Sequence, residues 1–403
     1  MYTDLHENFT RDPEARQARD LIDACVHCGF CLATCPTYLD SRDERDSPRG
    51  RIYLVKQLLE TGDASALSRT HLDRCLSCRS CETTCPSGMR YGRLADIGRG
   101  LMEERAPRNP AQRVWRYLLR TVLSQPRLFR LALRLGQTVR PLLPASLAAQ
   151  IPQRQSLPPQ PVATHTRRML VLEGCVQSAA TPLTNAAARR ILDRLGVTLT
   201  SSPQAGCCGA VNYHLGAHTD GLDNMRRNID AWWPHIEAGA EAIVSSASGC
   251  GSLLVDYGEL LAHDPAYADK AARVSALVRD IGEVLQQEDL ASLTVDTDIG
   301  RVAVQVPCTL QHGLKLPELI PDILRRVGFD LAEVQEGHLC CGSAGTYSIL
   351  QPDTSHRLRG NKLRALSVDS PAIVATGNVG CQLHLQAASE VPVVHWIELL
   401  DRQ

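Results

Sequence analysis

The sequence predicts an α+β protein of several domains, with a mainly helical part at the N-terminus and two repeated α/β lobes after it. Three observations support this prediction. Two cysteine runs with identical spacing lie within the first 90 residues, an arginine-rich and then proline-rich segment follows, and another cysteine pattern occurs twice in the C-terminal half. A chain of 403 residues is long enough for two or three domains with buried cores.

The two N-terminal runs, Cys25–Pro36 and Cys75–Pro86, share the spacing C-x2-C-x2-C-x3-C-P of bacterial ferredoxins. The first three thiolates of a run wrap three corners of one [4Fe-4S] cube. The fourth lies beyond the bend that the proline imposes and reaches the other cube. The spacing therefore assigns cluster 1 to Cys25, Cys28, Cys31 and Cys85, and cluster 2 to Cys75, Cys78, Cys81 and Cys35. Residues 1–105 are predicted to form a mainly helical, two-cluster ferredoxin-like domain.

Two other interpretations of these runs are less consistent with the spacing. Structural zinc sites usually take two separated C-x2-C pairs, and disulfide frameworks belong to short secreted chains. Met1–Asp20 is charged and lacks the apolar stretch of a signal peptide, and no apolar run approaches 18 residues. Sixteen cysteines then indicate a reducing compartment and metal ligation, so a cytoplasmic metalloprotein is expected. The formal net charge of −1 does not suggest a nucleic acid partner.

Residues 106–167 contain ten arginines and no aspartate or glutamate, and end in a proline-rich stretch that predicts an extended linker. Pro126 is expected to separate two helices. Two arginine trios follow helical 3,4 spacing, so each is expected on one helical face: Arg113, Arg116 and Arg120, then Arg127, Arg130 and Arg134. Such a basic amphipathic segment can lie on anionic lipid, dock on a partner, or simply present solvated arginines over a packed apolar side.

The C-terminal half contains a repeat, which predicts a first lobe over 168–295 and a second over 296–403. The cysteines of the first copy recur after 133 residues, except the last, which recurs after 131. These eight cysteines are Cys175, Cys207, Cys208 and Cys250, then Cys308, Cys340, Cys341 and Cys381. Short apolar runs precede the first and last cysteine of each copy, and helical patterns lie between them. Each lobe is therefore predicted to hold a parallel sheet.

The repeated cysteines are candidate ligands of additional metal centres. Neighbouring residues on a strand point to opposite faces, so each Cys-Cys pair can chelate only from a turn, which the following glycine permits. The four thiols of a lobe would then meet at the carboxyl ends of strands, where open α/β sheets bind ligands. Three interpretations stay open for each lobe: a third iron–sulfur centre, a structural zinc, or buried free thiols. His384 is a further possible ligand, although a satisfied or exposed histidine is the more common case.

The chain resembles the iron–sulfur subunits of bacterial glycolate oxidase over nearly its whole length. The resemblance rests on both cysteine runs and on stretches such as Pro48–Leu54, Asn228–Pro234, Cys308–His312 and His338–Tyr347. It implies an electron-transfer subunit of a membrane-associated complex, located at the inner face of the cytoplasmic membrane. It also implies FAD-binding partner subunits that oxidise glycolate to glyoxylate, and the membrane quinone pool as the eventual electron acceptor.

The C-terminal lobes also resemble the cysteine-rich CCG domains of heterodisulfide reductase, which hold noncubane clusters. Those domains end in C-x2-C, whereas the lobes here end in Cys250–Leu253 and Cys381–His384, so each lacks the fifth cysteine. No G-x-G-x-x-G follows a predicted strand, so the sequence shows no nucleotide site for two-electron chemistry, which is expected on a partner. The alternatives are a related lactate or glycerol-3-phosphate dehydrogenase subunit, a thiol–disulfide enzyme, or a cluster-based redox sensor.

Overall fold

The computed structural model describes residues 1–162 and 164–402. The N-terminal part is helical and, among the residues described up to Arg105, contains no strand. Its helices are α1 (Pro13–Asp23), α2 (Pro36–Ser41), α3 (Pro48–Thr61), α4 (Ala66–Asp73), α5 (Ser80–Thr83) and α6 (Tyr91–Arg105). Short 3₁₀ turns lie at Glu7–Phe9, Phe30–Leu32 and Glu44–Asp46.

Helix α3 shows why these elements form where they do. Ser47 caps its N-terminus by accepting a hydrogen bond from the Gly50 N–H, and Pro48 occupies the first helical position, where no backbone N–H is needed. The helix ends at Gly62, whose φ is +77°. Apolar side chains of α1, α3 and α6 pack into one core, in agreement with the helical patterns of the sequence.

The arginine-rich segment forms a helical hairpin of α7 (Pro110–Ser124) and α8 (Pro126–Val139), separated at Pro126 as predicted. A 3₁₀ turn at Arg140–Leu142 and α9 (Ala145–Ala148) follow. The described residues between α9 and Arg167 contain no helix or strand.

The first lobe holds a parallel four-stranded sheet of order β2-β1-β3-β4. Its strands are β1 (Arg167–Val171), β2 (Val197–Ser201), β3 (Ile243–Ser245) and β4 (Val278–Asp280). Its helices are α10 (Gln177–Ala180), α11 (Pro182–Arg194), α12 (Ala210–His214), α13 (His218–Glu237), α14 (Ser248–Leu260), α15 (Ala268–Leu277) and α16 (Ile281–Gln286), and a 3₁₀ turn lies at Leu290–Ser292.

The second lobe holds a smaller parallel sheet of order β5-β6-β7. Its strands are β5 (Val302–Gln305), β6 (Ile373–Thr376) and β7 (Val393–His395). Its helices are α17 (Leu319–Val327), α18 (Tyr347–Leu350), α19 (Pro352–Leu366), α20 (Val379–Gln386) and α21 (Trp396–Leu399), with a π-helical turn at Thr309–Gly313. A single parallel bridge from Val302 to Leu331 takes the place that β2 has in the first lobe. The α+β architecture with two α/β lobes is thus confirmed.

The two lobes share one hydrophobic core. Apolar residues of β1 and α11 in the first lobe belong to the same buried cluster as those of β5, α17 and α21 in the second. Polar contacts cross the same boundary: His395 Nε2 lies 2.7 Å from the Ser246 carbonyl oxygen, and Arg190 and Arg194 pair with Asp401. The chain's C-terminal residues therefore pack against the first lobe, which the cysteine repeat alone did not indicate.

Both lobes also pack against the helical domain. The first lobe contacts α6 through His214 Nδ1, which lies 2.9 Å from Asp96 Oδ1. The second lobe contacts α5 through His312 Nδ1, which lies 2.9 Å from Thr83 Oγ1. The helical domain therefore contacts both lobes.

Candidate metal centres

The two N-terminal runs adopt the same backbone conformation. Positive φ occurs at His27 and Gly29 in the first run and at the equivalent Ser77 and Arg79 in the second. Arg79 takes φ = +60° although it is not glycine, a conformation that costs free energy for residues with a Cβ. Its side chain ion-pairs with Glu82 at 3.1 Å and with Asp256 of the first lobe at 3.5 Å, which helps to hold this conformation.

One group of cysteines surrounds a small cavity of ≈ 30 Å³. Its lining includes the four cysteines that the spacing assigned to cluster 1, together with Cys81. These four are Cys25, Cys28, Cys31 and Cys85. Burial raises the pKa of Cys31 to about 11, as expected for a thiol in apolar surroundings. Cys28 is exposed, so this group lies at the surface of the molecule.

The second group brings Cys35 to the second run. Burial is the main cause that raises the pKa values of Cys78 and Cys81. The Cys35 thiol is close enough to raise both further. Burial alone would raise the pKa of Cys75, but the Arg51 and Arg99 guanidiniums outweigh it and lower that pKa. The structure thus places Cys35 beside the second run and Cys85 beside the first.

Hydrogen-bond donors also face the Cys75 sulfur. The Ser77 N–H donates to Cys75 Sγ at 3.4 Å and the Tyr91 hydroxyl donates to it at 3.6 Å. Donors to a sulfur stabilise a thiolate more than a neutral thiol. The surroundings of Cys75 are therefore suited to an anionic metal ligand.

The first lobe brings its four cysteines together at the carboxyl ends of its strands. Cys175 follows β1, Cys207 and Cys208 follow β2, and Cys250 lies in the first turn of α14 after β3. Hydrogen bonds from Cys175 and Cys208 hold the pKa of Cys207 well below its ordinary value. For Cys175, Cys207 and Cys208, the neighbouring groups that shift the pKa most all belong to the first lobe itself.

The second lobe repeats this arrangement. Cys308 Sγ lies 3.8 Å from Cys340 Sγ. The Cys340 thiol acts to lower the pKa of Cys341, but the Cys381 thiol and burial outweigh it and raise that pKa. Gly342 after the pair has φ = +87°, and a Cβ there would lie 2.7 Å from the Ser355 carbonyl oxygen, so glycine is required by conformation and by space.

A buried lysine lies beside the second-lobe cysteines. Lys362 is 3% exposed, and its ammonium donates to the Glu336 and Gly337 carbonyl oxygens at 3.0 and 3.3 Å. Burial lowers its pKa, while Cys341, Cys340, Cys308 and Cys381 act in the opposite direction. Buried charges need a counter-charge, and among the described residues no carboxylate pairs with Lys362. Thiolates at this site would supply that counter-charge.

The second lobe adjoins the second cysteine group. Leu76, Cys78, Cys308 and Cys340 belong to one apolar cluster, with the Tyr347 ring packed among them. Burial is the main cause that raises the pKa of Cys78, and the nearby Cys308 thiol is the next. Cys78 in turn contributes to raising the pKa of Cys340, so these thiols are close neighbours. No pattern in the sequence indicated which lobe would lie here, because the contact joins segments more than 200 residues apart.

The spacing of the sulfurs bears on the kind of metal centre. Among the residues with described positions, no three sulfur atoms lie within 4.8 Å of one another. In a tetrahedral zinc–thiolate site the sulfurs are about 3.8 Å apart, because the Zn–S bond is about 2.3 Å. In the second lobe the Cys308 and Cys340 sulfurs, 3.8 Å apart, already have that spacing, and no third described sulfur lies within 4.8 Å of both. His384 Nε2 lies 3.2 Å from Ser355 Oγ, so this histidine already has a polar partner.

Comparison with known proteins agrees with this geometry. The family description "4Fe-4S dicluster domain" matches residues 21–89, and "Cysteine-rich domain" matches residues 169–254 and 302–386. The glycolate oxidase iron-sulfur subunit of Escherichia coli (strain K12) is 49% identical and is aligned over 100% of this chain and 99% of its own length. The probable glycolate oxidase iron-sulfur subunit of Bacillus subtilis (strain 168) is 28% identical over 93% of this chain and 92% of its own.

More distant relatives match about half of the chain. Lactate utilization protein A of Geobacillus thermodenitrificans (strain NG80-2) is 25% identical over 53% of this chain and 90% of its own length. In the part of the chain that the structure describes, no helix is long and apolar enough to cross a membrane.

These findings confirm the resemblance seen in the sequence and the presence of iron–sulfur clusters. They also support an electron-transfer role within an oxidoreductase of several subunits. The chain belongs to the family of glycolate oxidase iron–sulfur subunits.

Proposed function

We propose that this chain accepts electrons from the flavin of partner subunits that oxidise glycolate to glyoxylate, and passes them towards the quinone pool. The observation that carries the proposal is that three groups of cysteines adjoin one another in a row. The first group reaches the surface at Cys28, the second includes the buried Cys35 and Cys81, and the third lies in the second lobe. An iron–sulfur cluster, when bound, takes up and releases single electrons. A series of such sites suits transfer between a two-electron substrate reaction on one protein and a distant acceptor.

The eight ferredoxin-run cysteines are the proposed cluster ligands. We assign Cys25, Cys28, Cys31 and Cys85 to cluster 1, whose cavity they line, and Cys75, Cys78, Cys81 and Cys35 to cluster 2. Arg51 and Arg99 supply positive charge beside Cys75, which stabilises its thiolate form. The same charges also favour the reduced, more negative state of cluster 2.

Electrons are proposed to enter at cluster 1. Cys28 is exposed, and on either side of it Val26 is 67% exposed and Phe30 is 64% exposed. A partner that covers these two apolar side chains would bring its own cofactor close to this group of cysteines. Cys81 lines the cluster 1 cavity and is also a proposed ligand of cluster 2, so the two groups adjoin.

The second lobe is proposed to hold a third iron–sulfur centre, with Cys308, Cys340, Cys341 and Cys381 as its ligands. Lys362 supports an anionic site, and the contact of Cys308 and Cys340 with Cys78 suits a centre that exchanges electrons with cluster 2. Cys175, Cys207, Cys208 and Cys250 of the first lobe are also possible ligands of an iron–sulfur centre or zinc.

Metal analysis tests the number of centres. Two cubes contain about eight irons with matching sulfide. In protein purified without oxygen, we expect about twelve irons per chain, and Cys340→Ser should remove the third centre while leaving about eight. Eight irons in the unmodified chain would refute a third cluster, and zinc alongside would indicate a structural lobe.

Reconstitution tests the division of labour. The purified chain, free of flavin, should not oxidise glycolate, and mixing it with the flavin-bearing subunits should restore glycolate-dependent reduction of a quinone analogue. Glycolate turnover by the isolated chain would overturn the proposal.

A lactate-oxidising partner is the second candidate, because proteins named lactate utilization protein A match about half of the chain. Purification of the endogenous complex separates the two candidates, since a flavoprotein specific for lactate would decide against glycolate. In either complex we place the chain in the cytoplasm, at the inner face of the cytoplasmic membrane, where the quinone pool is accessible.

A further inference from the structure

The outer surface of the α7–α8 hairpin concentrates exposed apolar side chains. Of the 20 large hydrophobic residues that are exposed in the described parts of the chain, ten lie between residues 114 and 147. On α8 they form one stripe of Leu128, Leu131, Leu135 and Val139, which are 40–62% exposed, and Leu142 beyond the helix is 85% exposed. Contiguous apolar surface of this kind marks a binding site for a membrane or another protein.

A row of arginines runs beside this stripe. Arg127, Arg130 and Arg134 each directly precede a residue of the stripe, so they lie about 100° around the helix from it. All three are exposed, and no ion pair with a described acidic residue involves them. Their guanidiniums are therefore free to contact an anionic surface that the leucines enter.

The inner side of the hairpin is held against the rest of the protein. Arg116 of α7 lies 3.6 Å from Asp73 of the helical domain, and Arg120 lies 2.8 Å from Asp220 of the first lobe. Leu119 of α7 is buried. The arginine trio predicted on one face of α7 is thus mostly used within the fold, whereas the trio on α8 is not.

We propose that the outer surface of the α7–α8 hairpin binds an anionic lipid bilayer, lying in its interface without crossing it. Arg127, Arg130 and Arg134 are exposed and form no ion pair with a described acidic residue, which complements anionic headgroups. An apolar stripe flanked by arginines along one helix is the pattern of an interfacial helix. Trp115 and Tyr117 of α7, 52% and 58% exposed, are the aromatic residues preferred at the level of the headgroups.

This inference deepens the proposed location at the membrane, but its test does not depend on electron transfer. The full cluster-loaded chain, without partner subunits, is sedimented with vesicles of phosphatidylcholine alone or with phosphatidylglycerol added. We expect binding to the anionic vesicles that weakens as salt is raised, because salt screens the arginine contacts. Failure of the unmodified chain to bind anionic vesicles would overturn the proposal and leave the redox function untouched.

Two variants locate the binding surface. Each arginine near an anionic membrane contributes roughly fivefold in affinity, so changing Arg127, Arg130 and Arg134 together to Gln should weaken binding roughly 100-fold. Changing Leu131 and Leu135 to Ser should weaken it at all salt concentrations. These side chains are exposed, so folding should be unaffected.

The matched control changes three exposed arginines elsewhere, Arg11, Arg168 and Arg273, to Gln. It should bind anionic vesicles like the unmodified chain. Equal loss in this control would mean that overall charge, and not the hairpin, drives binding. Hairpin variants that bind vesicles normally but no longer co-purify with the flavin subunits would instead make this surface a protein interface, which contradicts the proposal.

Discussion

The carboxylate of Asp46 balances the charge of a buried arginine behind the second cysteine group. Asp46 is 2% exposed, and its Oδ1 lies 2.8 Å from His71 Nδ1 and 3.5 Å from Arg51 Nη2. Arg51 is also 2% exposed and donates to Thr37 Oγ1 at 3.1 Å. The Thr37 hydroxyl lies 3.3 Å from Cys35 Sγ, so the network reaches a proposed ligand of cluster 2. Asp46→Asn keeps the shape of this side chain and removes its charge.

The structure permits an estimate of the cost. Removing one partner of a buried ion pair typically costs about 3–5 kcal/mol, because the remaining charge stays buried without a counter-charge. The Cys35 and Cys75 sulfurs also face Arg51 and keep part of that counter-charge. We therefore expect the free energy of unfolding to fall by about 3 kcal/mol, the lower end of this range. Against a typical total of about 5–15 kcal/mol, this change is easily measured.

Urea unfolding without oxygen, followed by circular dichroism and cluster absorbance, measures the effect. Asp43→Asn is the matched control, because Asp43 pairs with the exposed Arg45 and should cost at most about 1 kcal/mol. The double variant Asp46→Asn with Arg51→Met should recover stability relative to Asp46→Asn alone, since the buried Arg51 charge is then absent. Arg74, which also pairs with Asp46 at 3.1 Å, is 41% exposed and keeps its contact with water. An Asp46→Asn variant as stable as Asp43→Asn would refute the charge balance described here.

Three further predictions concern the lobes. Gly342→Ala should lower the free energy of unfolding by at least about 1–2 kcal/mol in the same urea assay, because Gly342 has a positive φ that alanine adopts only at a cost. The control is Gly337→Ala, which has open space around it and should change stability by under about 1 kcal/mol. Burial lowers the pKa of His395 to about 4, so at this residue the folded state binds fewer protons than the unfolded state. This difference should cost about 2 kcal/mol of stability between pH 6.5 and 5, so in urea titrations at each pH His395→Gln should lose less stability over that range than the unmodified chain. Part of the dependence should stay, because burial also lowers the pKa of His384 to about 4. Lys362→Met should lower the reduction potential of the second-lobe centre, because it removes a positive charge that favours the reduced state. A redox titration followed by electron paramagnetic resonance measures the potential, and an unchanged value would place that centre away from Lys362.

Much of the fold followed from local sequence patterns. The two cysteine runs predicted a pair of wrapping loops because ligand spacing within seven residues is set by the chain itself. The 133-residue repeat predicted two similar lobes, and apolar runs ahead of Cys175 and Cys308 predicted β1 and β5. The glycine after each Cys-Cys pair predicted a turn, and Gly209 and Gly342 do have positive φ. Within each cysteine run and within each copy of the repeat, these predictions depend on residues close together in the chain.

The contacts between these units were decided only by the tertiary structure. Cys78 adjoins Cys308 and Cys340 because apolar side chains of the helical domain and the second lobe pack together, and no periodicity in the sequence encodes such a choice of partner. The pairing of Arg51 with Asp46 is likewise invisible in the sequence, where both are ordinary charged residues. The sequence by itself determined which residues are candidate cluster ligands, whereas packing between distant segments brought the second lobe against the second cysteine group.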